Sequence, residues 1–237
     1  MLSRFDLSDN HFSILDTLTR NSLGVSLGLI NQEVHALIQT DARRMQLVKI
    51  DPTTGALSLV CEIDQIDTPE GELYLPKQPF LYDASLQQLY TALYIYPAGQ
   101  LDQAYPLRVD LQTQSAAVLS LQGSETLYFL QSAAQCLQIN SEATTQTSTG
   151  YRTHVNTFDP VSGLPSTPIF ILENIFEACS YDVQNDRLYY LTYPHQSTDD
   201  QVYEKETMSI FDLSVGKTTI LKNPISETLS TLLVMQP

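Results

Sequence analysis

One short pattern recurs along the chain and constrains its folding more than any other feature: an apolar residue, then Asp, then turn-forming residues. It occurs as Phe5-Asp6-Leu7-Ser8, Ile50-Asp51-Pro52-Thr53-Thr54-Gly55, Val109-Asp110-Leu111-Gln112-Thr113, Phe158-Asp159-Pro160-Val161-Ser162-Gly163 and Phe211-Asp212-Leu213-Ser214-Val215-Gly216. Successive aspartates are 45, 59, 49 and 53 residues apart. Asp accepts backbone N–H groups two or three residues on, Pro presets φ at the next position, and Gly supplies positive φ at the exit. Alternating, β-rich stretches flank the copies, such as residues 46–50 before and 56–60 after the second. The pattern predicts hairpins and assigns these aspartates to turn formation, not to a catalytic set.

A second pattern lies between copies of the first. Leu81-Tyr82-Asp83 is followed, six residues after the Asp, by Leu89-Tyr90-Thr91-Ala92-Leu93, and Ser180-Tyr181-Asp182 is followed at the same offset by Leu188-Tyr189-Tyr190-Leu191. Phe129-Leu130-Gln131 leads likewise to Leu137-Gln138-Ile139, and Leu29-Ile30-Asn31 leads to Val34-His35-Ala36-Leu37. Each is another strand, turn, strand unit. A repeat therefore holds four strands: an inner strand a, a turn to b, a variable loop to c, and the Asp turn to d.

Four short strands every ~50 residues resemble the blades of the β-propeller superfamily, with turns similar to those of quinoprotein-like and YVTN-type repeats. The resemblance covers nearly the whole chain. It lacks the Trp-Asp dipeptide of WD40 blades, since there is no Trp, and the double glycines of Kelch repeats. Residues 22–61, 72–121, 125–172 and 175–222 make four complete repeats. Residues 2–15 read as strands c and d, and 226–234 as an inner strand. Together they predict a fifth blade shared by both termini, closing the ring and removing exposed sheet edges. The expectation is an all-β, single-domain propeller over residues 1–237. One competing pattern exists: Ile30, Val34, Leu37, Ile38, Met45 and Val48 fall near helical spacing. Strict alternation at Leu23, Val25, Leu27 and Leu29 favours strand.

Charge excludes several functions. With 12 Lys plus Arg against 27 Asp plus Glu, the net charge is −15, which repels nucleic-acid backbones and anionic membrane surfaces. No run approaches the ~20 apolar residues that span a bilayer. The first residues carry no continuous apolar segment of a signal peptide, so a cytoplasmic location is expected. Charged residues make up 16%, below the ~25% of ordinary proteins.

The b-to-c loops are the variable segments: residues 40–44, 96–105, 141–153 and 193–207. They collect Tyr96, Tyr105, Tyr151, Tyr193 and Tyr203 together with Arg43, Arg44, Arg152 and His195. Tyr and Arg combine contact area with directional polar groups, so this face is the predicted binding surface for a protein or peptide partner. The three arginines form a rare positive island able to pair with a partner's carboxylates.

Motifs for chemistry are sparse. The three cysteines, Cys61, Cys136 and Cys179, form no C-x-x-C pair and are expected to be buried, unbridged thiols. The histidines His11, His35, His154 and His195 show no metal-ligand spacing; a His154–His195 pairing is open across neighbouring blades. The acidic stretch 62–72 lacks an ordered Ca²⁺ loop and reads as solvated. No nucleophile elbow, dinucleotide fingerprint or P-loop is present, and no cofactor is expected. A five-bladed propeller resembling glycoside hydrolases would need three convergent carboxylates. Here Glu72, Asp83, Glu125, Glu177 and Asp182 are on offer, with Asp83 and Asp182 better explained as turn residues. Two readings follow: a non-enzymatic binding or scaffold propeller, or a propeller-type hydrolase, glycosidase or metal-dependent lactonase-like.

Overall fold

A computed structural model describes residues 2–6, 11–16, 24–41, 43–68, 70–76, 79–96, 103–120, 123–124, 126–131, 136–145, 151–162, 164–172, 176–182, 185–192 and 207–220. All regular structure in them is β. A hairpin of β1 (Leu2–Asp6) and β2 (His11–Asp16) comes first. Blade 1 follows as β3 (Gly24–Ile30), β4 (Glu33–Asp41), β5 (Arg44–Ile50) and β6 (Leu57–Ile63), paired antiparallel in chain order. After β7 (Gln65–Asp67), blade 2 contains β8 (Glu72–Tyr74), β9 (Leu81–Asp83), β10 (Gln88–Tyr96), β11 (Gln103–Asp110) and β12 (Ser115–Val118). Its inner strand is split, since β8 and β9 both pair with β10. Blade 3 is β13 (Thr126–Gln131), β14 (Cys136–Ala143), β15 (Tyr151–Asp159) and β16 (Leu164–Leu172). Blade 4 is β17 (Phe176–Asp182), β18 (Arg187–Thr192), β19 (Thr207–Asp212) and β20 (Lys217–Ile220). The sheets are arranged as a β-propeller.

The described residues make four blades where five were expected. The expected c and d strands of the fifth are present as the β1–β2 hairpin, but that hairpin is a two-stranded sheet of its own. Its expected inner strand, 226–234, lies outside the described residues.

The strand reading of residues 30–50 holds, and the structure explains the helix-like spacing. In β4, His35 through Gln39 are buried without interruption, because a b strand packs against neighbours on both faces. Leu37 belongs to one apolar cluster and Ala36 and Ile38 to another. Two-sided burial erases the alternation that marks a strand with one wet face.

The Asp turns are one device used repeatedly. Asp51, Asp110, Asp159 and Asp212 each accept the backbone N–H two residues on, at 2.7–3.1 Å. Asp83 and Asp182 do the same work between strands a and b, through Ser85 and Leu86 and through Asn185. Four residues after the Asp the chain enters the left-handed region, at Gly55 (φ 76°), Gln87 (53°), Gln114 (54°), Asp186 (53°) and Gly216 (63°). The carboxylates are held low accordingly: the Thr53 and Thr54 N–H groups lower Asp51, and the Ser162 hydroxyl leads in lowering Asp159.

The acidic stretch after blade 1 does more than meet solvent. Asp64, Asp67, Glu70 and Glu72 are exposed. Yet β7 pairs parallel with β12, so blade 1's chain covers the outer edge of blade 2. Covering an edge removes a template for unwanted pairing. Among the described residues no helix is long and apolar enough to cross a membrane.

Candidate functional site

Strand direction sorts the loops onto two faces. The Asp turns and a–b turns end one side of every blade, and the b–c loops end the other. In blade 1 the b–c connection is tight: Asp41 pairs with Arg44, and Asp41 Oδ1 accepts the Arg43 N–H at 2.9 Å. Arg43 and Arg44 are both exposed. Arg44 Nε lies 3.6 Å from Asp41 Oδ2, a solvent-exposed ion pair contributing little to stability. Tyr96 ends β10 opposite Glu72 and is exposed. Tyr151 and Arg152 open β15 opposite Ala143 and Glu142, each half-buried.

Tyr105 is placed differently from its fellows. It sits opposite Leu93, packs its half-buried ring against the core between blades 1 and 2, and donates its hydroxyl to Gln103 Oε1 at 3.2 Å. Tyr193, His195 and Tyr203 lie outside the described residues, and so does any His154–His195 pairing. His154 instead meets Glu142, Nε2 to Oε1 at 3.0 Å. His35 is buried, its Nδ1 2.9 Å from the Glu33 carbonyl, as a packing residue should be.

The other predicted groups resolve as follows. Asp83 and Asp182 hold turns, Glu72 is exposed at a strand start, and Glu125 and the Glu177 side chain lie outside the described residues. Among the described residues no three His, Cys, Asp or Glu side chains gather as a metal site. Cys61 and Cys136 are unbridged but half-buried rather than buried. Cys61 occupies an outer strand, and Cys136 starts β14 at the margin of the aromatic cluster. Burial pushes both thiols up, Cys136 to about 11. The Cys179 side chain lies outside the described residues.

A second feature of this face has no motif in the sequence. On β14 and β15 three polar pairs stand directly opposite one another: Gln138 with Asn156, Asn140 with His154, and Glu142 with Arg152. Strand alternation puts all six on one side of blade 3. The opposite side, with Leu137, Ile139 and Val155, packs against Leu188, Tyr190 and Phe211 of blade 4. The ladder therefore looks toward blade 2. At its lower end Phe129 and Phe158 pack on Tyr90, with Tyr90–Phe158 and Phe129–Phe158 centroids 5.0 Å apart. The buried Tyr90 phenol, pushed up to about 12 by desolvation, donates to the Pro160 carbonyl at 2.8 Å. On blade 2 the same side carries Tyr94, half-buried against this cluster, with Tyr74 opposite it and Tyr96 two residues on.

No protein-family model matches the chain, and no curated protein matches it in sequence. Solved structures match in shape. YjhT superposes with a TM-score of 0.56 at 12% identity, over 91% of this chain and 69% of that one. TolB from Acinetobacter baumannii gives 0.53 at 11%, over 85% of this chain, which spans only 44% of TolB's length. The catalytic domain of the Coprinopsis cinerea GH62 α-L-arabinofuranosidase gives 0.50 at 13%, over 94% and 76%. At such identity the likeness shows the fold alone, and that fold is the β-propeller.

Proposed function

We propose that residues 1–237 form one propeller domain acting as a non-enzymatic binding or scaffold module, whose b–c loop face docks a protein or peptide. The observation that carries this reading is the contrast between the two faces. One face repeats the same Asp cap blade after blade, as a structural device does. The other differs in every blade and presents Arg43, Arg44, Tyr96, Tyr151 and Arg152 in an acidic protein. Arginine beside tyrosine suits a partner segment with carboxylates, which steer encounter and fix register. The hydrolase alternative has no observation in its favour among the described carboxylates, because Asp83 and Asp182 hold turns.

The test compares the faces. A partner identified by cross-linking should bind the Arg43→Ala/Arg44→Ala/Tyr151→Ala protein more weakly by ~2 kcal/mol or more, with an unchanged unfolding midpoint. Thr54→Ala/Ser162→Ala on the opposite face should leave affinity intact. The reverse result would put the site on the Asp-turn face.

A further inference from the structure

We propose that the outer edge of blade 4 is a docking site for an extended segment of another protein, which adds a strand parallel to β20 with a carboxylate beside Lys217 and an apolar residue beside Thr218. The site lies on the rim, apart from the b–c loops, and does not rest on the loop-face reading.

The chain itself supplies the template. Blades 2 and 4 end in short strands of the same register. Asp110 pairs with Ser115 and Asp212 with Lys217, Val109 with Ala116 and Phe211 with Thr218. Leu111 and Leu213, each just past the turn Asp, are half-buried against the cluster shared with the preceding blade. On blade 2 the outer edge is occupied: Gln65, Ile66 and Asp67 of β7 run parallel beside Ser115, Ala116 and Ala117. Ile66, beside Ala116, is buried in the cluster between blades 1 and 2. On blade 4 the same edge is bare. No described strand pairs with it, and all four residues of β20 are exposed, Ile220 at 64%.

Connection length explains the difference. Residues 64–71 separate β6 from β8 and leave room for β7, whereas only residues 173–175 separate β16 from β17. Those few residues must carry the chain from an outer strand to an inner one, which leaves none to lie along the rim. The connection that enters blade 4 therefore cannot cover it as the one entering blade 2 does.

The side chains say what fits. Main-chain hydrogen bonds to a bare edge supply affinity, and alternate side chains supply specificity. Asp212, opposite Lys217, is already engaged by Arg187 Nε at 3.5 Å and by the Ser214 N–H and hydroxyl. A carboxylate on the added strand gains an opposite charge beside Lys217, and a Lys or Arg there meets a like one. A residue beside Thr218 points to the blade 3 side, as Ile66 points to the blade 1 side. On that side Phe170 and Leu213 are only half-buried, so an apolar residue suits the position. A second copy of this chain fits less well. Two chains of net charge −15 repel, and β20, Lys-Thr-Thr-Ile, brings no carboxylate to Lys217.

The test is a titration of the full chain with the acetylated, amidated peptide Thr-Glu-Ile-Thr-Val at millimolar concentration, read as backbone amide shifts by NMR. Its Glu takes the place beside Lys217 and its Ile the place beside Thr218. Saturable shifts should centre on β20 and the paired residues 209–212. Replacing the peptide's Glu by Lys should weaken binding about fivefold, and replacing its Ile by Ser about tenfold. Lys217→Glu, an exposed substitution that should keep the unfolding midpoint, should reverse the preference in favour of the Lys peptide. No saturable binding, shifts centred on residues 43–44 and 151–152, or an unreversed preference would overturn the proposal. So would β20 shifts that follow protein concentration alone, which would give the edge to a second copy.

Discussion

The seams on the two sides of blade 2 occupy equivalent positions and are built from opposite materials. Three and five residues before the Asp turn, blade 2 places Leu107 and Tyr105, opposite Thr91 and Leu93. They pack toward blade 1 with Met45, Leu47 and Leu73, where Leu93 and Leu107 are fully buried. The Thr91 hydroxyl meets Ser26 of blade 1 at 3.2 Å, the Tyr105 hydroxyl meets Gln103 Oε1, and Gln39 binds the Leu73 carbonyl and the Leu75 N–H, at 2.9 and 2.8 Å. Just after β7, where the chain of blade 1 covers blade 2, Thr68 Oγ1 is buried without a hydrogen-bond partner. At the same positions blade 3 places Asn156 and His154, opposite Gln138 and Asn140, and one buried acceptor goes unmet. A seam optimised for cohesion looks like the first. The second carries amides and an imidazole where the first carries leucines.

The largest effect should come from giving the first seam the chemistry of the second. Leu93→Asn removes a fully buried side chain and buries an amide without partners, so unfolding free energy should fall by ~3 kcal/mol or more in urea. A loss under ~1 kcal/mol would mean the first seam tolerates polarity and the contrast means little.

Acid should not distinguish the seams. Each blade's Asp caps sit at the far end from the ladder, and hydrogen bonds hold Asp51, Asp110, Asp159 and Asp212 below the ordinary carboxylate range. A lowered folded pKa means stability present above the unfolded value and lost as pH falls through the folded one. The loss should therefore begin below about pH 4. Amide-exchange protection should decline together in β5, β10, β11 and β15. Earlier loss in one seam alone would show that the caps are not a uniform device.

Much of this architecture is legible in the residues. The Asp-turn spacing marks the c–d hairpins, and Asp83 and Asp182 mark the a–b turns, because side chain–backbone capping is local and leaves a local signature. Left-handed backbone at Gln87 and Gln114 leaves none, since the turn imposes it on residues that do not prefer it. The parallel β7–β12 pairing is long-range and has no period to betray it. The site was half legible. Loop tyrosines and arginines stand out by type, yet Tyr105 turns inward because its register, not its identity, sets its face. The Gln-x-Asn-x-Glu and Arg-x-His-x-Asn alternations of β14 and β15 are visible as text. Only the register, which places them opposite one another, turns them into a polar ladder.

The smallest expected change tests the central contrast most directly. Gln138→Leu replaces an amide whose oxygen is unpartnered with an apolar side chain of similar size, in a buried position flanked by Phe129 and Cys136. If the polar residues of the second seam add nothing to its cohesion, the urea midpoint should stay the same or rise, by up to ~1 kcal/mol in unfolding free energy. A fall of ~1.5 kcal/mol or more would show that Gln138 stabilises the fold after all, and the two seams would differ only in how they hold together.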